Sequence, residues 1–157
     1  MKPQSVIGLL VGLLALAGCA QPAERPSFAE VKAATQSMER ELAGATPEGV
    51  FVKFAQAGTG ELSVCRRSWY RWHGDAVITV AAGTDTDAII QDLEDHFTKA
   101  GYETHSDPDV FRQHRLGITD PETGTTVRVA TGFAPDQIRL SSASECFFSP
   151  GGEAPEL

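Results

Sequence analysis

Apolar positions recur along this chain in two helical patterns, each followed by shorter runs with the alternation of strands. The first pattern predicts a helix over 28–43, which begins after Ser27 and stops at Gly44. Ser27 and Glu30 have the spacing of a capping box, in which each residue bonds the backbone of the other. The apolar stripe of this helix consists of Phe28, Val31, Thr35, Met38 and Leu42.

The second helical pattern is predicted to begin at a cap formed by Thr84 or Thr86. Gly101 follows the pattern where a left-handed residue ends a helix, and Tyr102 can then fold back on Phe97. The buried stripe of this helix is predicted to be Ile89, Ile90, Leu93 and Phe97.

Six segments have the apolar alternation or the apolar runs that are typical of strands. They cover 50–55, 61–72, 76–81, 109–118, 125–131 and 137–143. His73-Gly74-Asp75 has the composition of a turn between the second and third of these strands. The resulting order, αβββ-αβββ, predicts an α+β two-layer sandwich with a mainly antiparallel sheet, two helices on one face, and an architectural repeat without sequence identity.

The N-terminus has the layout of a secretory signal. Lys2 precedes a run of apolar residues and glycine over 6–17, and small residues then lead to Cys19. A helix needs about 20 apolar residues to span a bilayer, so this run is too short to predict a transmembrane segment. We therefore predict a signal peptide over 1–18.

Leu16-Ala17-Gly18-Cys19 resembles the lipobox of bacterial lipoproteins at all four positions. The resemblance implies a diacylglycerol (palmitate is a common acyl chain) on the Cys19 sulfur, cleavage before that residue, and attachment to the extracytoplasmic face of the cell membrane. Ala20 stands where an aspartate would favour inner-membrane retention, so the outer membrane stays open for a Gram-negative source. The alternative is an ordinary signal peptide with Cys19 incidental. The whole plan is similar to the small extracytoplasmic lipoproteins of actinobacteria.

The rest of the chain is predicted to form one domain on a short tether. The tether covers 19–26, the α+β domain 27–148, and a disordered tail 149–157. The formal net charge of the 157 residues is −8, which argues against nucleic acid or an anionic membrane as the main partner. The lipid on Cys19 must then anchor the protein, so the membrane is the predicted partner.

Assigning Cys19 to the lipid leaves Cys65 and Cys146 as an even pair. A disulfide is the default expectation for such a pair in an oxidising compartment. Closing the long loop between them would stabilise the fold by about 4 kcal/mol. A metal-binding pair or a reactive thiol are the alternatives.

The stretch from Cys65 to His73 combines arginines with aromatic residues and supplies the candidate binding residues. Continuous alternation would place Arg67, Trp69, Arg71 and His73 on the face opposite Arg66, Tyr70 and Trp72. Guanidinium groups beside aromatic rings can bind sugars, anions or phosphates. The alternative is a strand whose aromatic residues lie in the core, with the arginines over them in water.

Charge is also segregated between the predicted elements. Six acidic residues fall on the predicted helices, namely Glu30, Glu39, Glu41, Asp92, Glu94 and Asp95, whereas seven arginines fall on predicted strands, namely Arg66, Arg67, Arg71, Arg112, Arg115, Arg128 and Arg139. If both helices cover one face of the sheet, the other face is an arginine-lined platform for an anionic envelope component or an acidic protein. The competing interpretation is that these arginines only solvate an open sheet.

The remaining candidate chemistry is sparse. His105, Asp107, Asp109 and His114 include metal-ligating types, but their spacing matches no defined site, so no metal or cofactor is predicted. The sequence contains no nucleophile elbow, zincin motif or phosphate-binding glycine loop. We therefore expect a non-enzymatic interaction module. A carrier of a lipid or small hydrophobic ligand between helices and sheet is the alternative, and a hydrolase is a third hypothesis.

Overall fold

The computed structural model describes residues 25–108 and 113–157, in which two helices pack on one face of an eight-stranded antiparallel sheet. The helices are α1 (Phe28–Ala45) and α2 (Thr86–Lys99). The strands are β1 (Phe51–Gln56), β2 (Glu61–Arg66), β3 (Trp69–Val80), β4 (Glu103–Pro108), β5 (His114–Thr119), β6 (Thr126–Thr131), β7 (Gln137–Ala143) and β8 (Phe147–Phe148). This is the predicted α+β two-layer fold. The predicted signal peptide and Cys19 lie outside the described residues.

Helix α1 begins with the predicted capping box. The Ser27 hydroxyl accepts from the backbone N–H of Glu30 at 3.3 Å, and the Glu30 carboxylate accepts from the Ser27 N–H at 2.7 Å. The helix continues past Gly44, where we expected it to stop, and ends before Thr46. Thr46 is extended and is followed by Pro47, and the steric bulk of proline disfavours a helical conformation in the residue before it.

Helix α2 is capped by Asp85 rather than by either predicted threonine. The Asp85 carboxylate accepts from two first-turn N–H groups, each at 3.1 Å, whereas the Thr84 hydroxyl donates to the carbonyl of Ala81. The C-terminal end is as predicted: Gly101 has φ of 94°, and the Tyr102 N–H donates to the Phe97 carbonyl at 3.0 Å. These bonds satisfy carbonyl groups that the last turn leaves unpaired.

Strand β3 is the longest strand and holds the sheet together. Its first part pairs with β2 and β8, and its second part pairs with β1 and β7. The other strands continue the sheet in the order β7-β6-β5-β4.

The predicted boundary between the second and third strands was wrong. The chain reverses at Arg67 and Ser68, where Ser68 has φ of 63°, and β3 then runs straight through Gly74. A Cβ added at Gly74 would come within 2.4 Å of the Trp72 ring. This glycine therefore makes room for a buried indole instead of forming a turn.

The sheet has eight strands instead of the six predicted. The two strands that were not predicted are β4 and the short β8. The sequence of β4, Glu103-Thr104-His105-Ser106-Asp107-Pro108, is polar on both faces. This strand lies at the edge of the sheet, where apolar side chains are not required. Three strands follow α1 and five follow α2 in the described part of the chain, so the predicted αβββ repeat is not confirmed.

The core lies between the helices and the sheet. Both predicted helical stripes face it, and its largest fully buried side chains include Leu42, Ile78, Ile90, Leu93, Phe97, Ile138 and Leu140. A second, smaller cluster packs Trp72 and Phe147 against Val31, with Phe28, Leu62 and Tyr70 at its edge.

Contacts continue into the segment that the sequence assigns to the tail. The Ser149 N–H donates to the Ser68 carbonyl at 3.0 Å, and the Tyr70 hydroxyl donates to the Gly152 carbonyl at 2.8 Å. Residues 149–153 thereby pack beside the turn between β2 and β3.

Candidate functional site

The sheet face turned away from the helices, here called the open face, carries mostly polar side chains. On β3 it presents Trp69, Arg71, His73 and Asp75, which alternate with residues on the helix side. The same alternation on the neighbouring strands places Arg115, Gly117, Thr119, Thr126, Arg128, Ala130, Arg139, Ser141 and Ala143 on this face.

Four of the arginines therefore share one face, as the platform hypothesis requires: Arg71, Arg115, Arg128 and Arg139. The register places Arg128 between Gly117 and Ser141. It places Ala130 between Arg115 and Arg139. Small side chains thus separate the arginines and leave space between the guanidinium groups. Arg112 lies outside the described residues.

A groove runs across the open face. Its larger part has a volume of about 570 Å³ and contains Arg71, His73, Arg128 and Arg139 in its lining. A smaller part of about 310 Å³ shares Arg128 and Arg139 and ends at Phe133, whose side chain is 94% exposed. The lining combines these long arginine side chains with small residues of the face, such as Gly117, Ser141 and Ala143.

The open face also carries acidic groups, so it is not purely basic. Asp75 accepts from the Arg139 guanidinium at 2.8 Å and from the Ser141 hydroxyl at 3.1 Å. Asp107 lies opposite Arg115 in the ladder, and Glu61 lies opposite His73. Arg139 additionally lies over the Phe133 ring, 5.6 Å from its centroid.

Arg71 and His73 extend the groove toward β2. The Ser63 hydroxyl and the His73 Nε2 are 2.7 Å apart. The Nε of Arg71 is buried and has no hydrogen-bond partner among the residues of 25–108 and 113–157. An external ligand cannot reach this buried atom, but Arg71 as a whole is only half-buried and lines the groove, so its other N–H groups can donate to an anionic ligand.

The predicted binding residues are only partly brought together. Trp69, Arg71 and His73 share the open face, but Arg67 lies in the turn. Arg66 was predicted to lie on the other face of the sheet from Trp69. Instead it is the cross-strand partner of Trp69, because the register shifts between Val64 and Arg66. The turn interrupts the alternation on which the prediction depended.

Trp69 belongs to a separate group at the end of β3, which we call the tether-end cluster. The Arg66 guanidinium lies 4.4 Å from the centroid of the Trp69 ring system, and the Arg25 guanidinium lies 5.7 Å from it. Arg25 also lies 5.5 Å from the centroid of Phe148, whose ring is 5.7 Å from Trp69. The cluster consists of Arg25, Arg66, Arg67, Trp69 and Phe148.

The two cysteines that the sequence pairs are adjacent to this cluster. The Sγ atoms of Cys65 and Cys146 are 2.05 Å apart, as in a disulfide. Cys65 precedes Arg66, and Cys146 precedes the short strand β8, which contains Phe148. The bond therefore holds the two halves of the tether-end cluster together.

The histidines and aspartates considered for a metal do not converge. His105 and Asp107 lie on the open face, whereas the His114 ring bonds Glu94 of α2 at 3.1 Å on the helix side. Asp109 lies outside the described residues. The described part of the chain contains no group of three His, Cys, Asp or Glu side chains that could hold a metal ion.

Glu39 is a buried carboxyl that the sequence does not reveal as such. It lies on α1 and is 0% exposed, and it accepts from Ser142 at 2.5 Å and from the Gln56 side chain at 2.6 Å. Burial raises the pKa of Glu39 above its usual value, and these two hydrogen bonds oppose the increase in part. The sequence feature that could have revealed this burial is the position of Glu39, four residues after Thr35 on the buried stripe of α1.

We expect Glu39→Gln to flatten the pH dependence of stability. A carboxyl whose pKa is raised by folding stabilises the protein below its unfolded pKa, and this contribution is lost as pH rises through the folded pKa. The free energy of unfolding of the wild type should therefore fall between about pH 4.5 and the raised pKa, by up to about 1.4 kcal/mol per pH unit, relative to the variant. Urea titrations across this range measure it. Glu48→Gln, at an exposed loop position, is the control, and parallel curves for wild type and Glu39→Gln would contradict the argument.

No protein-family model, no curated protein and no solved structure matches this chain. In addition, no helix of the described residues is long and apolar enough to cross a membrane. The function is therefore argued from the residues and their geometry.

Proposed function

We propose that this protein is a lipid-anchored, extracytoplasmic binding module that is held on the membrane through Cys19. The lipobox at positions 16–19 supports the anchor. The Cys65–Cys146 pair is in keeping with an oxidising compartment. The anchor confines the domain to the membrane surface, and the domain supplies the binding site.

The binding site of this proposal is the groove on the open face. The observation that carries it is the convergence of Arg71, Arg128 and Arg139 around a groove on the face that the helices leave bare. Charged side chains that only solvate a sheet do not require a concave floor of small residues between them. The ligand is an anionic envelope component or an acidic protein surface.

The chemistry of the groove suits carboxylate or phosphate groups. Guanidinium groups bind these anions through pairs of parallel hydrogen bonds. Arg71 lines the groove and forms no ion pair among the described residues, whereas Arg139 is already paired with Asp75. Arg71 and Arg128 are therefore expected to contribute most of the affinity, and Asp75 to hold Arg139 in place.

The two other functional hypotheses receive less support. A carrier needs a cavity between helices and sheet, but this region is filled by side chains such as Leu42, Ile90 and Ile138, each 0% exposed. A hydrolase would need a third group to orient the Ser63–His73 pair. Asp75, two residues along β3, is engaged by Arg139 and Ser141 instead.

The experiment measures binding of the purified protein to polyglutamate and to polyphosphate, which represent the two anion chemistries. We expect the wild type to bind at least one polymer, and an Arg71→Glu/Arg128→Glu double variant to bind it about tenfold more weakly or worse. Raising the salt concentration should weaken wild-type binding, because the Debye length falls.

The matched control is an Arg40→Glu/Lys99→Glu double variant, which changes the net charge equally on the exposed surfaces of the two helices. It should bind within about twofold of the wild type if the open face is the site, since distant exposed charges are screened. An equal loss in both double variants would indicate non-specific attraction, and no binding by the wild type at low salt would contradict the proposed site.

A further inference from the structure

The tether-end cluster lies where the described chain begins. Arg25 is the first described residue, and its guanidinium lies against both Trp69 and Phe148. The cluster combines three arginines with two aromatic rings on a protein whose formal net charge is −8. It is a local basic and aromatic surface on an acidic molecule.

The length of the tether limits how far this surface can be from the lipid. Arg25 lies six positions after Cys19 in the sequence. A chain spans at most about 3.3–3.6 Å per residue, so the backbone of Arg25 cannot be more than about 20 Å from the backbone of Cys19. If Cys19 carries the lipid, this end of the domain is held beside the bilayer.

The residue types of the cluster match the interfacial region of a membrane. Tryptophan is enriched at the level of the lipid headgroups, where its ring is partly apolar and its N–H finds a partner. An arginine near an anionic bilayer surface contributes about 1 kcal/mol, and the attraction falls off within a Debye length. The acidic remainder of the domain is repelled by the same surface, which favours an orientation with this end toward the lipid.

We propose that the tether-end cluster binds the headgroups of an anionic bilayer and orients the anchored domain on the membrane. This proposal rests on the lipid on Cys19 in the proposed function, but it does not depend on the groove. The groove begins at Arg71, about 7 Å along β3 from Trp69, and continues past Asp75, about 20 Å from Trp69. The part of the groove around Asp75 and Arg139 therefore remains accessible while the cluster contacts the lipid.

The tryptophans provide a direct test, because the chain has only two and they differ in location. Trp72 is fully buried in the second core cluster, whereas Trp69 lies in the tether-end cluster. The lipidated protein is reconstituted into vesicles of brominated phosphatidylcholine, either alone or mixed with phosphatidylglycerol. We expect the bromolipid to quench Trp69 in the phosphatidylglycerol vesicles and Trp69→Phe to abolish the quenching.

An Arg66→Ala/Arg67→Ala variant keeps both tryptophans and tests the charges. It should reduce the quenching in phosphatidylglycerol vesicles to the level seen in phosphatidylcholine alone, whereas Arg40→Ala/Lys99→Ala, with the same loss of charge on the exposed surfaces of the helices, should leave it unchanged. The emission of buried Trp72 reports in every variant whether the domain is folded.

The outcomes separate this proposal from the anchor on which it rests. If the wild type partitions into the aqueous phase of a detergent phase separation, as Cys19→Ser should, the anchor is wrong and the membrane orientation falls with it. If the wild type enters the detergent phase but Trp69 is not quenched, the anchor stands and the orientation is overturned. Equal quenching in both types of vesicle would overturn the role assigned to anionic headgroups.

Discussion

Replacing Cys65 and Cys146 together by serine is expected to lower the free energy of unfolding by about 4 kcal/mol. The two residues are 81 positions apart, so the bond removes a large amount of conformational freedom from the unfolded chain. It also holds the end of β2 against the last strand, where β8 adds only two residues to the sheet. Urea unfolding with linear extrapolation measures the loss.

The reduced wild type is the control for this variant. Reduction breaks the same cross-link without changing the side chains, so its unfolding midpoint should agree with that of the double serine variant. An unchanged midpoint in the double variant would show that the bond does not constrain the unfolded chain as argued. A loss in the variant without a loss on reduction would attribute the effect to the serines instead.

The second large effect is expected at Gly74, in the middle of β3. A Cβ at this position would come within 2.4 Å of Trp72 and 2.8 Å of the Ser142 hydroxyl. Both neighbours lie in the buried layer, so neither can move without disturbing the core. Gly74→Ala should therefore cost about 3 kcal/mol, although alanine is otherwise at least as favourable in a strand.

Gly117 provides the matched control because it is also a glycine inside a strand. Its Cβ would meet only the His105 carbonyl, at 3.5 Å, which is an ordinary contact. Gly117→Ala should change the free energy of unfolding by less than about 0.5 kcal/mol. Equal effects at the two glycines would contradict the argument, since the expected difference depends on the close approach of Trp72 and Ser142 to Gly74.

The helices were the most predictable part of the fold. Their stripes repeat at the period of the helix, and local signals such as Ser27, Glu30 and Gly101 act within a few residues. The exact ends were less certain, because Asp85 and the two threonines beside it are all suitable caps. Only the backbone path decides which side chain reaches the first-turn N–H groups.

The errors in the strands have one common cause. The sequence of β4 carries no apolar alternation, and its position at the sheet edge is a property of the whole fold. The composition around Gly74 is that of a turn, but Gly74 faces the indole of Trp72, which the same strand buries. Glycine and polar residues have several structural uses, and long-range packing chooses among them.

In the candidate site, too, local alternation predicted some placements, and the tertiary structure decided the others. Alternation within β3 predicts that Trp69, Arg71 and His73 share a face, but a turn intervenes before β3, so that Arg66 pairs with Trp69 and Arg67 lies in the turn. The partnership of Asp75 with Arg139 joins residues 64 positions apart, and no local pattern reports it. Glu39 was read as one more acidic helix residue, although burial beneath β7 makes it part of the core.

The sequence by itself determined the two helices, the α+β class and the pairing of Cys65 with Cys146, and it contains the lipobox-like motif on which the anchoring proposal depends. These features depend on residues that are close together in the sequence or on the number of cysteines, so they can be predicted without knowing the fold. The tertiary structure alone decided that four arginines share the open face, that Asp75 neutralises one of them, and that Arg25 meets Trp69 at the tether. Those arrangements depend on strand order and register, which are set by the burial of distant side chains against one another.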